Sequence, residues 1–195
     1  LSNFYLIFIL ICFQGFIGWY MVSSGLVERV DVSHFRLSVH LLLAFLILSL
    51  IFWNYLKITN NNNILNKINP LIPFSFLILV FIQIAIGAFV SGLDAGKIYN
   101  SWPLMGNTYF PNDNNFLDLF KISVFNEPSL VQFIHRNLAY VIGIFYLYII
   151  YKIYRNKKYD LYKVVNILGF FIILQIILGI FTIVYGAQIF IASMH

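Results

Sequence analysis

Four histidines are the side chains with the most to offer chemically in this 195-residue chain, and three of them fall inside apolar stretches. His40 lies about two helical turns past a cap at Asp31 or Ser33, and His135 lies about two turns past Asn126-Glu127-Pro128. His195 stands about two turns past Gly186. At a rise of 1.5 Å per residue all three reach a similar depth, roughly 10 Å into one half of a bilayer. An ionisable side chain at that depth is costly and marks function by default. The bland alternative is a neutral imidazole hydrogen-bonded to a neighbouring helix. A neutral imidazole is also a good ligand for iron, copper or zinc. A hard cation or a hydrolytic zinc would want carboxylates, and no Asp or Glu falls in these stretches. Haem suits the site better: two histidines from facing helices can fill both axial positions of its iron, and its porphyrin needs apolar surroundings.

Smaller features agree. Ala44 and Ala139 lie one turn deeper than His40 and His135, with Gly143 a turn further, leaving room for a flat macrocycle or for close helix packing. Arg36 is one turn shallower than His40 and Arg136 adjoins His135. Each could pair with a haem propionate or snorkel to lipid headgroups. His34 falls at the water boundary and reads as an interfacial loop residue. A second pattern precedes each deep histidine. Gln14 to Gly18, Gln83 to Gly87 and Gln175 to Gly179 are three copies of Gln-x-x-x-Gly, and the first two exit through Ser24-Gly25-Leu26 and Ser91-Gly92-Leu93. Spacing of four puts Gln and Gly on one helix face, where Gly permits close approach and Gln can hydrogen-bond to another helix.

The elements that carry these residues follow from composition. The chain is 61% hydrophobic and 10% charged, with mean hydropathy +0.87, against about half apolar and about a quarter charged in soluble domains. Too few polar residues remain to cover a water-soluble surface, so the chain is expected to be an integral membrane protein. A span needs about 20 apolar residues. Leu1 to Val22, Leu37 to Leu56, Leu71 to Val90, Leu130 to Ile153 and Val164 to Tyr185 qualify, and a sixth begins near Ala187. Leu1 already lies inside an apolar run and His195 interrupts another, so both ends are expected to be cuts in a longer chain.

One face carries Lys57, Lys67, Lys152, Arg155, Lys157, Lys158 and Lys163 against Asp160 alone. The opposite face carries Arg29, Arg36, Lys97, Lys121 and Arg136 against Glu28, Asp31, Asp94, Asp113, Asp118 and Glu127. Positive-inside logic places the first face in the cytoplasm or an organelle matrix, and reads the net charge of +5 as topology rather than nucleic-acid binding. The three histidines then lie toward the outer side, beneath the long loop Leu93 to Asn126. That loop is either a solvated connector with aromatic anchors or a cover. The single cysteine, Cys12, excludes an internal disulfide.

Four strings carry a resemblance. Gln14-Gly15-Phe16-Ile17-Gly18-Trp19-Tyr20-Met21-Val22-Ser23-Ser24-Gly25-Leu26 is the first, and Arg36-Leu37-Ser38-Val39-His40-Leu41 the second. The third is Gly92-Leu93-Asp94-Ala95-Gly96 with Tyr99-Asn100-Ser101-Trp102-Pro103-Leu104-Met105-Gly106. The fourth is Gln132-Phe133-Ile134-His135-Arg136-Asn137-Leu138-Ala139-Tyr140. Together they closely resemble haem A synthases, in the branch shared by proteobacteria and mitochondria.

The resemblance implies an all-α polytopic transmembrane helical bundle, a pseudo-repeat of two four-helix halves, here truncated at both ends. Residues 1–56 would be the remainder of the first, substrate-haem half, 57–70 a cytoplasmic or matrix linker, and 71–195 the second, haem b half. His135 and His195 align with the axial ligands of a resident haem b that relays electrons, and His40 with one ligand of the substrate, haem O. Arg36 and Arg136 remain candidate propionate contacts. The family's catalytic carboxylate belongs to a Glu-x-x-His-Arg motif that this sequence does not contain, so the fragment is expected to hold no catalytic residue and to be inactive alone. The implied reaction oxidises a methyl group of haem O to a formyl group through successive hydroxylations, giving haem A for cytochrome oxidase assembly. Expected partners are haem O, haem A, membrane lipid, haem O synthase and oxidase assembly factors, with no nucleic acid. The expected location is a bacterial plasma membrane or mitochondrial inner membrane. Part of the family carries a cysteine pair in an outer loop, which Leu93 to Asn126 lacks. A dihaem b-type cytochrome that only transfers electrons would present the same histidines.

Overall fold

Within hydrocarbon every backbone N–H and C=O must be paired inside the protein, so apolar runs of this length become helices or strands of a closed barrel. The computed structural model describes residues 2–23, 32–59 and 69–195. They form helices α1 (Ser2–Ser23), α2 (His34–Thr59), α3 (Leu71–Gly92), α4 (Pro128–Arg155), α5 (Tyr162–Val184) and the short α6 (Ile189–Met194). Five of these are long and apolar enough to cross a membrane. Among the described residues there is no strand, only an isolated bridge between Met105 and Thr108. The chain is an integral membrane protein of all-α class.

The helix starts follow local chemistry. The Ser33 carbonyl accepts from the Leu37 N–H at 3.0 Å, which opens α2. The Glu127 carbonyl accepts from the Val131 N–H at 3.0 Å to open α4, with Pro128 in its first turn, where the missing proline N–H costs nothing. α5 ends through Tyr185, Gly186 and Ala187, the last two at positive φ, and the Gln188 carbonyl then accepts from Ala192 to start α6. One expectation is corrected. His34 is the first residue of α2 rather than a loop residue, and its ring packs edge-on to Phe89 with centroids 5.4 Å apart. The Asp31 cap, Glu28 and Arg29, the first exit Ser24-Gly25-Leu26, and Asn60 to Lys67 of the linker lie outside the described residues.

Consecutive helices pack in pairs, α1 on α2, α3 on α4 and α5 on α6, while α2 also lies along α3 and α4 along α5. Close approach is what lipid-embedded helices need, because apolar burial gives no drive where the solvent is itself apolar. At the α2–α3 contact a Cβ on Gly92 would fall 2.7 Å from His34 Cβ, and Ser38 Oγ donates across to the Ala85 carbonyl at 3.2 Å. The half of the bundle away from the deep histidines is filled by Phe76, Ile142, Tyr146, Ile149, Ile153 and Val165. There the Tyr146 hydroxyl donates to the Val165 carbonyl at 3.1 Å and occupies the space a Cβ on Gly169 would take. The outward faces stay apolar: Phe8 is 65% exposed and Phe170 62%, as side chains that face lipid should be.

The Leu93 to Asn126 connection is a folded cover. Arg136, buried near the top of α4, donates to the carbonyls of Ser101 and Tyr99, both at 2.9 Å, and to that of Leu104 at 3.4 Å. Gln132, 1% exposed, adds a bond to the Tyr99 carbonyl at 3.1 Å. Trp102 Nε1 donates to the Tyr140 hydroxyl at 2.9 Å, and the Tyr109 hydroxyl donates to Asn137 Oδ1 at 2.5 Å. The segment between includes a cis Trp102-Pro103 bond and Gly106 at φ 72°, and it buries Met105 almost completely. Further along, burial alone would raise the Asp113 carboxyl, but hydrogen bonds from Ser129 and Tyr99 hold it below the usual carboxylate range.

Two outcomes test this packing. Gly169→Ala should destabilise the detergent-solubilised protein by about 1–3 kcal/mol through overpacking, and adding Tyr146→Phe should return part of that loss; strictly additive thermal shifts would contradict the contact. Arg136→Met should remove charged hydrogen bonds that typically contribute about 1.5–3 kcal/mol each. Amide exchange across Tyr99 to Leu104 should then quicken while that of α3 stays slow, and unchanged exchange in the loop would overturn the clamp.

Candidate functional site

The Gln-x-x-x-Gly repeat and the deep histidines form a single device. Gln14, on α1, donates from Nε2 to the His40 carbonyl at 3.0 Å, and the same nitrogen lies 3.2 Å from His40 Nε2. Gln83, on α3, donates to the His135 carbonyl at 3.2 Å with its nitrogen 3.3 Å from His135 Nε2. One turn along the same face stands the glycine. A Cβ built on Gly18 would lie 3.1 Å from His40 Cε1, and one on Gly87 would lie 3.1 Å from His135 Cε1. The third copy keeps the glycine: a Cβ on Gly179 would lie 2.8 Å from His195 Cε1. In each copy the imidazole lies against a helix face that a larger residue would block.

His135 and His195 face each other across α4 and α6, with ring centroids 6.2 Å apart and planes at 85°. An iron bound by two imidazoles needs about 2 Å to each nitrogen and about 1 Å more to each ring centre, roughly 6 Å in all. The observed separation fits. Among the described residues this is the only His–His ring pair, and no three His, Cys, Asp or Glu side chains converge anywhere. None of the six helices contains an Asp or Glu. Such a donor set suits two axial positions of a haem iron and suits neither calcium nor hydrolytic zinc. Gln14 Oε1 and His40 Nδ1 are buried without a hydrogen-bond partner, and so are their counterparts Gln83 Oε1 and His135 Nδ1. The same unsatisfied atoms at both places mark polar sites prepared for something beyond the protein itself.

The remaining candidates separate. His40 has the same seat as His135 but no histidine opposite it among the described residues. The Arg36 guanidinium lies over the Tyr20 ring, 4.4 Å from its centroid, near the entry of α2. Arg136 spends both terminal nitrogens on loop carbonyls, leaving only Nε without a partner, so its observed task is to hold the cover. Sequence reasoning missed that task, along with the loop contacts of Trp102, Tyr109 and Gln132. It had found the glutamines without attaching them to the histidines, although the fixed order of motif, then histidine on the next helix, was a usable signal.

Comparison with known proteins agrees with this geometry. The model of the "Cytochrome oxidase assembly protein" family matches residues 2–195. The protein named "Heme A synthase" from Pelagibacter ubique is 51% identical over 194 residues, which is 100% of this chain and 57% of that protein. Proteins of the same name from Rickettsia bellii and Flavobacterium johnsoniae are 41% and 39% identical over 99% and 94% of this chain, and 59% and 55% of their own lengths. The chain thus spans less than three fifths of these relatives, and no solved structure matches it. A single family accounts for the whole chain, and this protein belongs to it: the cytochrome oxidase assembly protein family.

Proposed function

We propose that this chain is the greater part of a haem A synthase, which oxidises a methyl group of haem O to a formyl group and so serves cytochrome oxidase assembly. The observation that carries the reading is the His135–His195 pair at iron-spanning distance, together with the identical seat that Gln14 and Gly18 build for His40. His135 and His195 would hold a resident haem b, and that haem, when bound, supplies one-electron redox chemistry. His40 would hold haem O from one side. Its opposite ligand and the catalytic carboxylate would come from outside this chain, in keeping with the lack of any Asp or Glu in α1 to α6. In the same reading residues 1–56 belong to the substrate half, 57–70 link the halves, and 71–195 form the haem b half.

The protein's own residues perform definable tasks. Gly87 and Gly179 admit the two rings, and Gln83 fixes the direction of one of them. The cover pinned by Arg136 and by the Trp102–Tyr140 bond lies over the same end of α4 and limits water there, which protects a reactive site and strengthens electrostatics within it. Arg36 is the better placed of the two arginines for a propionate, because its terminal nitrogens are not committed to the loop. The charge asymmetry of the connectors supports an arrangement in which both sites would lie toward the outer side.

In the full-length protein, His135→Ala and His195→Ala should each abolish the low-spin bis-histidine haem b spectrum, while His40→Ala should keep that spectrum and stop conversion of haem O to haem A in extracted haem. An unchanged haem b band in both of the first two variants would refute the ligand pair. Conversion absent even from the intact protein would leave a b-type electron-transfer cytochrome. Gly87→Val should lower haem b content about tenfold or more by overpacking the His135 ring. Gly15→Ala, where a Cβ meets nothing within 4 Å, should leave it unchanged.

A further inference from the structure

We infer that Gln83 and Gln14 are positioning residues that hold their histidines in the one tautomer able to bind iron at Nε2 before any haem arrives. The inference rests on the proposed ligand role of His135 and His40 and adds the means by which the ligand atom is kept ready.

The assignment follows from counting protons. A side-chain amide nitrogen carries two N–H groups and cannot accept, while a peptide carbonyl can only accept. The Gln83 atom that meets the His135 carbonyl at 3.2 Å must therefore be the nitrogen. That nitrogen's second N–H points to His135 Nε2 at 3.3 Å. If Nε2 carried the ring proton, two donors would face each other and Nδ1 would be a buried acceptor with no partner. If Nδ1 carries it, the Nε2 lone pair is matched and a single buried N–H is left over. The second arrangement loses less, so the amide selects a deprotonated Nε2. Metal binding needs that form, because a coordinating nitrogen must be free of its proton.

The geometry recurs on a second pair of helices, with Gln14 donating to His40 O at 3.0 Å and to His40 Nε2 at 3.2 Å. It leaves the same atoms unpartnered, Gln Oε1 and His Nδ1. Recurrence at separations of 26 and 52 residues argues against accident. A haem held at Nε2 would displace one amide N–H there, while the amide's other N–H would stay on the main-chain carbonyl, and a ring already unprotonated at Nε2 would have no proton to release. Gly18 and Gly87 complete the seat by barring any side chain from the space beside Cε1.

The test uses full-length protein made haem-free in a haem-deficient host, placed in lipid nanodiscs and labelled with 15N histidine. In the wild type His135 should show a protonated Nδ1 and an unprotonated Nε2. Gln83→Leu should lose that preference and weaken haem b binding about tenfold, the loss of roughly one hydrogen bond's worth of preorganisation. Gln14→Leu should alter His40 alone and leave the His135 signals and resident haem intact. A wild-type His135 with its proton on Nε2, or an unchanged tautomer in Gln83→Leu, would overturn the inference without needing a folded variant in the first case. His135→Ala separates the two levels. Retention of bis-histidine haem there would sink the ligand reading itself. Loss there, with Gln83→Leu unchanged in tautomer and affinity, would sink only the role of the glutamine.

Discussion

A polar ring buried among lipid-embedded helices cannot turn to water for a partner, so whatever holds it must come from the neighbouring helix. The rest of the architecture depends on that constraint. Each deep imidazole requires a helix face that is both open enough to admit a ring and polar enough to bond it. Gln-x-x-x-Gly supplies both within one turn, the glycine for access and the glutamine for the bond. The motif therefore fixes which helices must be adjacent: α1 with α2, α3 with α4, and α5 with α6. A bundle whose pairings are set by polar seats is better specified than one relying on apolar contact, since lipid tails compete equally well for an apolar face.

The two ends of the bundle divide the work. Away from the histidines, α3, α4 and α5 close on aromatic and branched side chains, and the Tyr146–Val165 bond locks α4 to α5. At the histidine end the helices are held partly from above, by a loop whose carbonyls converge on one buried guanidinium. Arg136 follows His135 directly in the chain, so the residue proposed to bind iron and the residue that pins the cover sit on successive positions of α4. A shift of α4 that moved one would move the other. Cover and ligand geometry are mechanically tied by the helix itself.

Much of this was legible in the sequence, for physical reasons that also explain the gaps. Spans show because burial in lipid imposes long apolar runs, and α3 begins at Leu71 as its run does. α2 starts three residues before its apolar run because His34, Phe35 and Arg36 form its first turn, where an arginine can lie over Tyr20 instead of needing water. The depth of the histidines and the shared face of Gln and Gly follow from helix periodicity alone. What joins them does not, because periodicity says which residues share a face and nothing about which face lies opposite. The loop contacts of Arg136 escape a sequence reading for the same reason. Its carbonyl partners lie more than 30 positions earlier, in a loop whose shape no local pattern dictates.

The third copy of the motif shows what the device needs and what it can exchange. His195 keeps the glycine, with the tightest approach of the three, whereas the side-chain amide contact is made in the first two copies, by Gln14 at His40 and by Gln83 at His135. The invariant part of the seat is thus the absent Cβ, which no other residue can supply.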